Sequence, residues 1–239
     1  HISLGSTPRF TNAVTEVQVG ANASLDLVLL QRECASTHHV SNTAAQIDRD
    51  GRFGSHTLTL GGALVRNDLT TTLADEGAHA TLNGLFLGTQ EQLLDNHTLV
   101  DHAMPRCTSQ ELYKGILGGR SRGVFRGRVV VRPDAQHTDA QQQNPNLLLG
   151  AGAEIDTKPE LQIDNDDVKA SHGATVGQIN PEELFYLMSR GLPRQQAWDL
   201  LCRAFVMDLF AEEFADVDLG SFEQAVAQSL AAIREAADV

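Results

Sequence analysis

Between Ile2 and Ile163 the chain carries short runs in which apolar and polar residues alternate, with no stretch at the spacing of an amphipathic helix. Leu25, Leu27 and Leu29 alternate with Asp26, Val28 and Leu30. Val65, Asn67, Leu69, Thr71 and Leu73 alternate with Arg66, Asp68, Thr70 and Thr72. Phe125, Gly127, Val129 and Val131 alternate with Arg126, Arg128, Val130 and Arg132. A period of two presents one side of each run to a core and the other to water. Gly, Asn, Asp and Thr punctuate the runs, and Pro133 is expected to end the last of these three, because proline cannot donate to a ladder. Many short strands with polar corners admit a sandwich, a barrel or a solenoid. No hexapeptide repeat and no GGxGxD array selects a particular solenoid class.

The pattern changes at residue 180. Asn180 precedes Pro181, Glu182 and Glu183, which supplies a capping side chain, a proline at the first helical position and acids in the first turn. The helix that starts there should end at Arg190, with Gly191 in the left-handed position beyond it. Pro193 opens a longer helix, for which Ala197, Leu200, Leu201, Ala204, Phe205, Leu209 and Phe210 are the expected apolar face. Ser221 and Gln224 fit a capping box for a third helix running towards Ala237. The division expected is therefore a β body over residues 1–179 and a helical domain over 180–239, with the three helices packed on the end of the body.

Composition bounds the function. The 239 residues are 41% hydrophobic and 21% charged, which is a globular balance. A net charge of −13 disfavours a nucleic-acid or anionic-membrane binder. From Asn180 onward there are eleven acids against four arginines, a solvated helix face or a docking surface for a basic partner. No apolar run reaches the roughly 18 residues of a membrane span. Cys34, Cys107 and Cys202 lie far apart with no CxxC pair, which fits a reducing cytoplasm rather than a disulfide framework. The chain starts at His1 without an initiator Met, so a segment of a longer protein is expected. Neither a GxxxxGK[ST] phosphate loop nor a GxSxG elbow occurs.

Several constellations carry chemistry-bearing residue types. His97, His102 and Cys107 suit a transition metal, but a non-helical segment does not place both histidines on one face. His38 and His39 with Cys34 lack a third spaced ligand. Asp75, Glu76 and His79 read as a polar turn. Arg126, Arg128 and Arg132 share strand parity and predict an exposed stripe, with Arg120 and Arg122 beside it. The densest segment is Asp164 to Gln178, with Asp164, Asp166, Asp167, Ser171 and His172 close together and Gly173 and Gly177 marking tight or left-handed backbone. An imidazole there can ligate iron or shuttle protons, with the neighbouring carboxylates or Ser171 accepting its second N–H. The alternative is a histidine hydrogen-bonded within a β turn.

The residues Asp166-Asp-Val-Lys-Ala-Ser-His-Gly-Ala-Thr-Val-Gly-Gln178, followed by Glu183-Leu-Phe-Tyr-Leu-Met-Ser-Arg-Gly191, resemble the SufD side of the SufB/SufD family of the SUF iron–sulfur cluster assembly machine. Asp101-His-Ala-Met-Pro-Arg-Cys107, Tyr113-Lys-Gly-Ile116, Val124-Phe-Arg-Gly-Arg128, Asn146-Leu-Leu-Leu149 and Thr157-Lys-Pro-Glu-Leu-Gln-Ile163 fit the same family in order. The resemblance implies a mainly β fold with an α tail, a right-handed parallel β-helix followed by a C-terminal helical domain. It implies a non-catalytic, cytoplasmic scaffold subunit whose last strands pair with SufB and whose helices dock the ATPase SufC. The family's interface histidine falls on His172, a ligand for iron or a nascent cluster shared with SufB. No cofactor is implied for the isolated chain, only transient iron or a cluster in the complex. Ala170 stands where many family members have cysteine, so a thiol beside His172 is missing and SufB residues are expected to complete the site.

Two rivals follow from the same residues. A β-helix carbohydrate enzyme would use Asp166 and Asp167 as its acid–base pair, but aromatic residues are only 5% and Trp198 lies in the tail rather than on a sugar-stacking groove. A structural homodimer would pair the final strand with its own copy.

Overall fold

A computed structural model describes residues 1–3, 7–207, 209 and 219–236. Twelve strands come first: β1 (Arg9–Val19), β2 (Ser24–Gln31), β3 (Thr37–Ile47), β4 (Arg52–Thr59), β5 (Leu64–Leu73), β6 (His79–Gly88), β7 (Leu93–His102), β8 (Thr108–Leu117), β9 (Arg122–Val131), β10 (Thr138–Leu148), β11 (Glu154–Ile163) and β12 (Val168–Gly177). Three helices follow, α1 (Pro181–Ser189), α2 (Arg194–Met207) and α3 (Leu219–Ala236).

Odd-numbered strands form one six-stranded sheet in the order β1-β3-β5-β7-β9-β11, and even-numbered strands form a second in the order β12-β10-β8-β6-β4-β2. Every pairing is parallel, as between β1 and β3 or β10 and β12. Parallel neighbours need a long return connection, and here the return of each strand is a strand of the other sheet. The chain is thus a parallel β-helix flattened into two sheets. A coil takes between 26 residues, as from His38 to Leu64, and 32, as from Arg122 to Glu154.

Corners absorb that variation. One column of corners has Asn22, Asp50, Gly77, Arg106 and His137 at positive φ, and another has Gly62, Gln90 and Gly119. A reversal in this conformation favours glycine, and Asn or Asp tolerate it. At Gly119 the demand is double, because a Cβ would also lie 2.9 Å from the backbone nitrogen of Gln90 in the coil below.

The inward faces of the two sheets close on a cluster that includes Phe53, Phe86, Phe125, Tyr113, Leu82 and Leu94. Burying each such side chain is worth roughly 1.5–3 kcal/mol. The outward faces differ. In β7, residues alternate between half-buried and buried along the whole strand, and the first sheet turns its other side to water as the alternation predicts. In β4 all residues after Arg52 are buried, and β8 ends in five buried residues, so the middle of the second sheet is covered on both faces.

The helices provide the second cover. They fold back along the outer face of the second sheet rather than sitting on the end of the body, because that face presents Leu58, Leu85, Leu87 and Ile116 and would otherwise be wet. α1 follows the capping expectation, with Asn180 accepting from the Glu182 N–H and Gly191 at φ 94. The buried side of α2 overlaps the expected one but is rotated from it. Ala197, Trp198, Cys202 and Val206 face the sheet, while Leu200 is 47% exposed and Ala204 is also exposed. Trp198 outweighs the leucine in apolar area and turns the helix towards its own side. Of the other residues expected on that face, Leu201 and Phe205 are half-buried against the same cluster, Leu209 is buried and Phe210 lies outside the described residues.

α3 starts at Leu219, so Ser221 lies within its first turn and is not its cap. Asp208, Glu212, Glu213, Asp216, Asp218 and Asp238, six of the eleven acids of the tail, fall outside the described residues. Lys114 of β8, 5% exposed, donates to the Phe205 carbonyl at 2.8 Å and so ties the last turn of α2 to the sheet. Arg234 of α3 reaches Asp199 of α2 at 2.5 Å, and Arg32 of the first coils donates to Gln228.

Candidate functional site

β11 and β12 form the last coil, and each is hydrogen-bonded to a neighbour on one side only. β12 is exposed along most of its length. Its register with β10 sets which side chains follow the inward column of the second sheet. Ala170 lies against Ala140, and His172 against Gln142. Ala140 and Gln142 are buried, so Ala170 and His172 share the inward parity at a rung that no further strand covers. A thiol at position 170 would therefore lie on the same side of β12 as the imidazole.

His172 is exposed and forms no hydrogen bond among the described residues. Three of the four acceptors expected for it are engaged elsewhere. Ser171 points outward and donates to Gln141, Asp167 pairs with His137 at 2.9 Å, and Asp164 accepts from Gln162. Asp167 and His137 are both 60% exposed at a corner, which leaves the proposed carbohydrate pair without an enclosing cleft. Trp198 is 3% exposed in the helix–sheet core and offers no stacking platform. Gly173 and Gly177 do not have positive φ, and a Cβ at either would meet nothing within 4 Å. The expected left-handed backbone is absent because the segment is a straight edge strand.

One level inside this rung the column turns polar. From the first coil it reads Leu27, Ser55, Leu82, Glu111, Gln142 and then His172. Gln142 Nε2 donates to Glu111 Oε2 at 2.6 Å. Burial pushes the Glu111 carboxyl up to about 7, against the opposing effect of that bond. Beside it Asn144 bridges the sheets, donating to the Tyr113 carbonyl at 2.8 Å and accepting from Thr157 at 2.7 Å. Gly127 of β9 makes the room, since a Cβ there would fall 2.3 Å from Gln142 Nε2. Sequence reasoning passed over Glu111 and Gln142. The available signal was a polar residue at inward parity in two successive strands.

The other constellations separate. His97 is a partly exposed residue beside Asp95 at 2.9 Å, whereas His102 points into the lumen and meets Ser109 at 2.8 Å. Burial lowers His102 to about 4 and raises Cys107 to about 11. His39 is buried against Glu33 at 2.7 Å, and His38 points outward. The half-buried Cys34 thiol is lowered to about 6 by bonds with Ser36, Thr37 and Ser3. Asp75 and Glu76 pair with Arg49, and His79 with Thr108. Among the described residues, no group of three or more His, Cys, Asp or Glu side chains is arranged to hold a metal ion. The arginine stripe is exposed as predicted: Arg122 reaches Asp156, Arg126 reaches Glu160 at 3.2 Å and Arg128 reaches Gln162 on the next coil, while Arg132 reaches back to Asp101. Solvent screens such exposed contacts, so they add little to stability.

Among the described residues no helix is long and apolar enough to cross a membrane. The two-sheet coil, the helices folded along one face and the open last rung around His172 define a parallel β-helix protein with an unpaired terminal edge. The family described as SUF system FeS cluster assembly, SufBD core domain, matches this sequence over residues 1–205. The chain is 39% identical over 208 residues to the iron–sulfur cluster assembly protein SufD of Escherichia coli, covering 87% of this chain and 49% of that protein. It is 37% identical over 202 residues to an iron–sulfur cluster assembly SufBD family protein of Synechocystis, covering 84% and 45%. A third relative, SufD of Bacillus subtilis, is 28% identical over 202 residues, covering 84% and 46%. The chain belongs to the SufB/SufD family of iron–sulfur cluster assembly proteins. It spans about half the length of these curated relatives.

Proposed function

We propose that this chain is the core of a non-catalytic scaffold subunit for iron–sulfur cluster assembly in the cytoplasm. The last coil pairs with SufB, and His172 supplies one ligand to iron or a nascent cluster at that junction. The observation that carries this reading is the position of His172: it follows a buried column, is itself exposed, and stands on a strand with one free edge. A neutral imidazole suits iron, and a single histidine needs further ligands from the partner because Ala170 offers none. Iron and sulfide are cargo here, passed on with the finished cluster.

His172→Ala in the reconstituted complex should cut iron loading and cluster formation at least tenfold while leaving the complex assembled. Full loading by that variant, measured as bound iron and sulfide, overturns the assignment.

The helices are proposed to dock SufC. Phe185 is 71% exposed, Tyr186 55%, Leu200 47% and Met207 45%, an apolar surface turned away from the sheet. Truncating Phe185 and Leu200 to alanine together should weaken SufC binding by about tenfold or more. Deleting the tail is the poorer test, because it also uncovers Leu58, Leu85 and Ile116. Unchanged affinity of the double variant in a titration with SufC would place the docking surface elsewhere.

A further inference from the structure

Gln142 is 1% exposed, and its amide is used on one side only. Nε2 is committed to Glu111 at 2.6 Å, which fixes the orientation of the amide, and Oε1 is buried without a hydrogen-bond partner among the described residues. A buried carbonyl oxygen left in this way destabilises the fold until an N–H meets it. The residue on its other side in the column is His172, in register on β12, whose imidazole has no hydrogen bond. The two unmet needs are complementary: one acceptor, and one ring that always carries at least one N–H. Gly127 leaves the space in which the amide sits.

We propose that Gln142 is a positioning residue for His172: when the last rung is covered by its partner, Oε1 of Gln142 accepts the imidazole N–H and fixes the ring with its other nitrogen facing outward. This rests on the reading of His172 as a ligand, and deepens it. A ligand histidine must present a lone pair on one nitrogen, and the hydrogen bond at the other selects the tautomer. The carboxylates first expected to do this, Asp164, Asp166 and Asp167, lie before β12 on its approach. The interior supplies the acceptor instead. Glu111 acts one step further away, by holding Nε2 and thereby turning Oε1 towards β12.

The test uses the complete assembled complex with 15N label only in the histidines of this subunit. Solid-state 15N spectra distinguish the two imidazole tautomers, and the His172 signals are identified by their loss in His172→Ala. The wild type should show one tautomer in about tenfold excess. Gln142→Met keeps the length of the side chain and removes the acceptor, and should bring the ratio towards unity and weaken Fe(II) binding about tenfold. If that variant does not assemble, Gly127→Ala, which displaces the amide, should shift the ratio in the same direction. An unchanged tautomer ratio in whichever variant assembles overturns the proposal. The ligand reading fails separately, if His172→Ala binds Fe(II) like the wild type while the tautomer ratio still responds to Gln142.

Discussion

Replacing Glu111 by glutamine is expected to raise stability near pH 8 by about 3 kcal/mol and to leave it almost unchanged near pH 4. Burial lifts this carboxyl from an ordinary 4.5 to about 7. Below the lower value both folded and unfolded chains carry the proton, and the group costs nothing through ionisation. Between 4.5 and about 7 the unfolded chain releases it while the folded chain retains it, so the native state loses ground as pH rises. Above about 7 both are ionised and the deficit is constant. Glutamine at 111 keeps an oxygen for Gln142 Nε2 and has no proton to lose. Urea unfolding at three pH values checks this. A gap between variant and wild type that does not grow across this window would show that water reaches the lumen at Glu111.

Phe125→Ala should cost about 3–5 kcal/mol. The ring is fully buried between the sheets, with its centroid 5.1 Å from that of Tyr113, and Gly127 lies so close that a Cβ there would meet the ring at 2.8 Å. Neighbouring coils are pinned by parallel ladders on both sides, as β9 is by β7 and β11, so they cannot readily close the gap. The denaturant midpoint should fall sharply with the slope preserved. A loss under about 1 kcal/mol would mean that the coils collapse around the vacancy and that the lumen is softer than its packing indicates.

Much of this architecture was legible in the residues. Alternation from Val65 to Leu73 identified β5 and its inward side, the Asn180–Pro181 pair located the change to helix, and the stripe of Arg126 and Arg128 was correctly read as solvent-facing. What alternation could not reveal was the stacking. The same left-handed corner is taken by Asn22, Asp50, Gly77, Arg106 and His137. A backbone demand that five residue types satisfy leaves no repeat in the letters. The second sheet was also misjudged in part. Val28 and Leu30 of β2 pack towards the helices while Leu27 packs into the lumen. A strand buried on both faces loses the contrast on which a period of two depends.

The site divided in the same way. His172 stood out because its neighbours are chemically dense, and the structure keeps it at the end of the inward column. Its expected partners failed because closeness along the chain is not closeness across a strand: Ser171 and His172 point to opposite sides of β12. Glu111 and Gln142 lie 61 and 30 residues before His172, and only the register of three parallel strands brings them into line. Their inward parity was written in the sequence, but a polar residue at such a position looks like an interruption of a strand until its neighbours are known.

The free edge of β12 has a consequence for the cell rather than for the molecule. The strand from Val168 to Gly177 offers backbone donors and acceptors on one side that no strand among the described residues occupies. An edge of this kind cannot distinguish well between strands until side chains are compared, so copies of this chain are expected to pair with one another when the proposed partner strand is scarce. On the proposed pairing with SufB, balanced synthesis of the two chains becomes a structural requirement. Overproduction of this chain alone should yield self-paired material whose amount falls as the partner is supplied, with the surplus measured by light scattering.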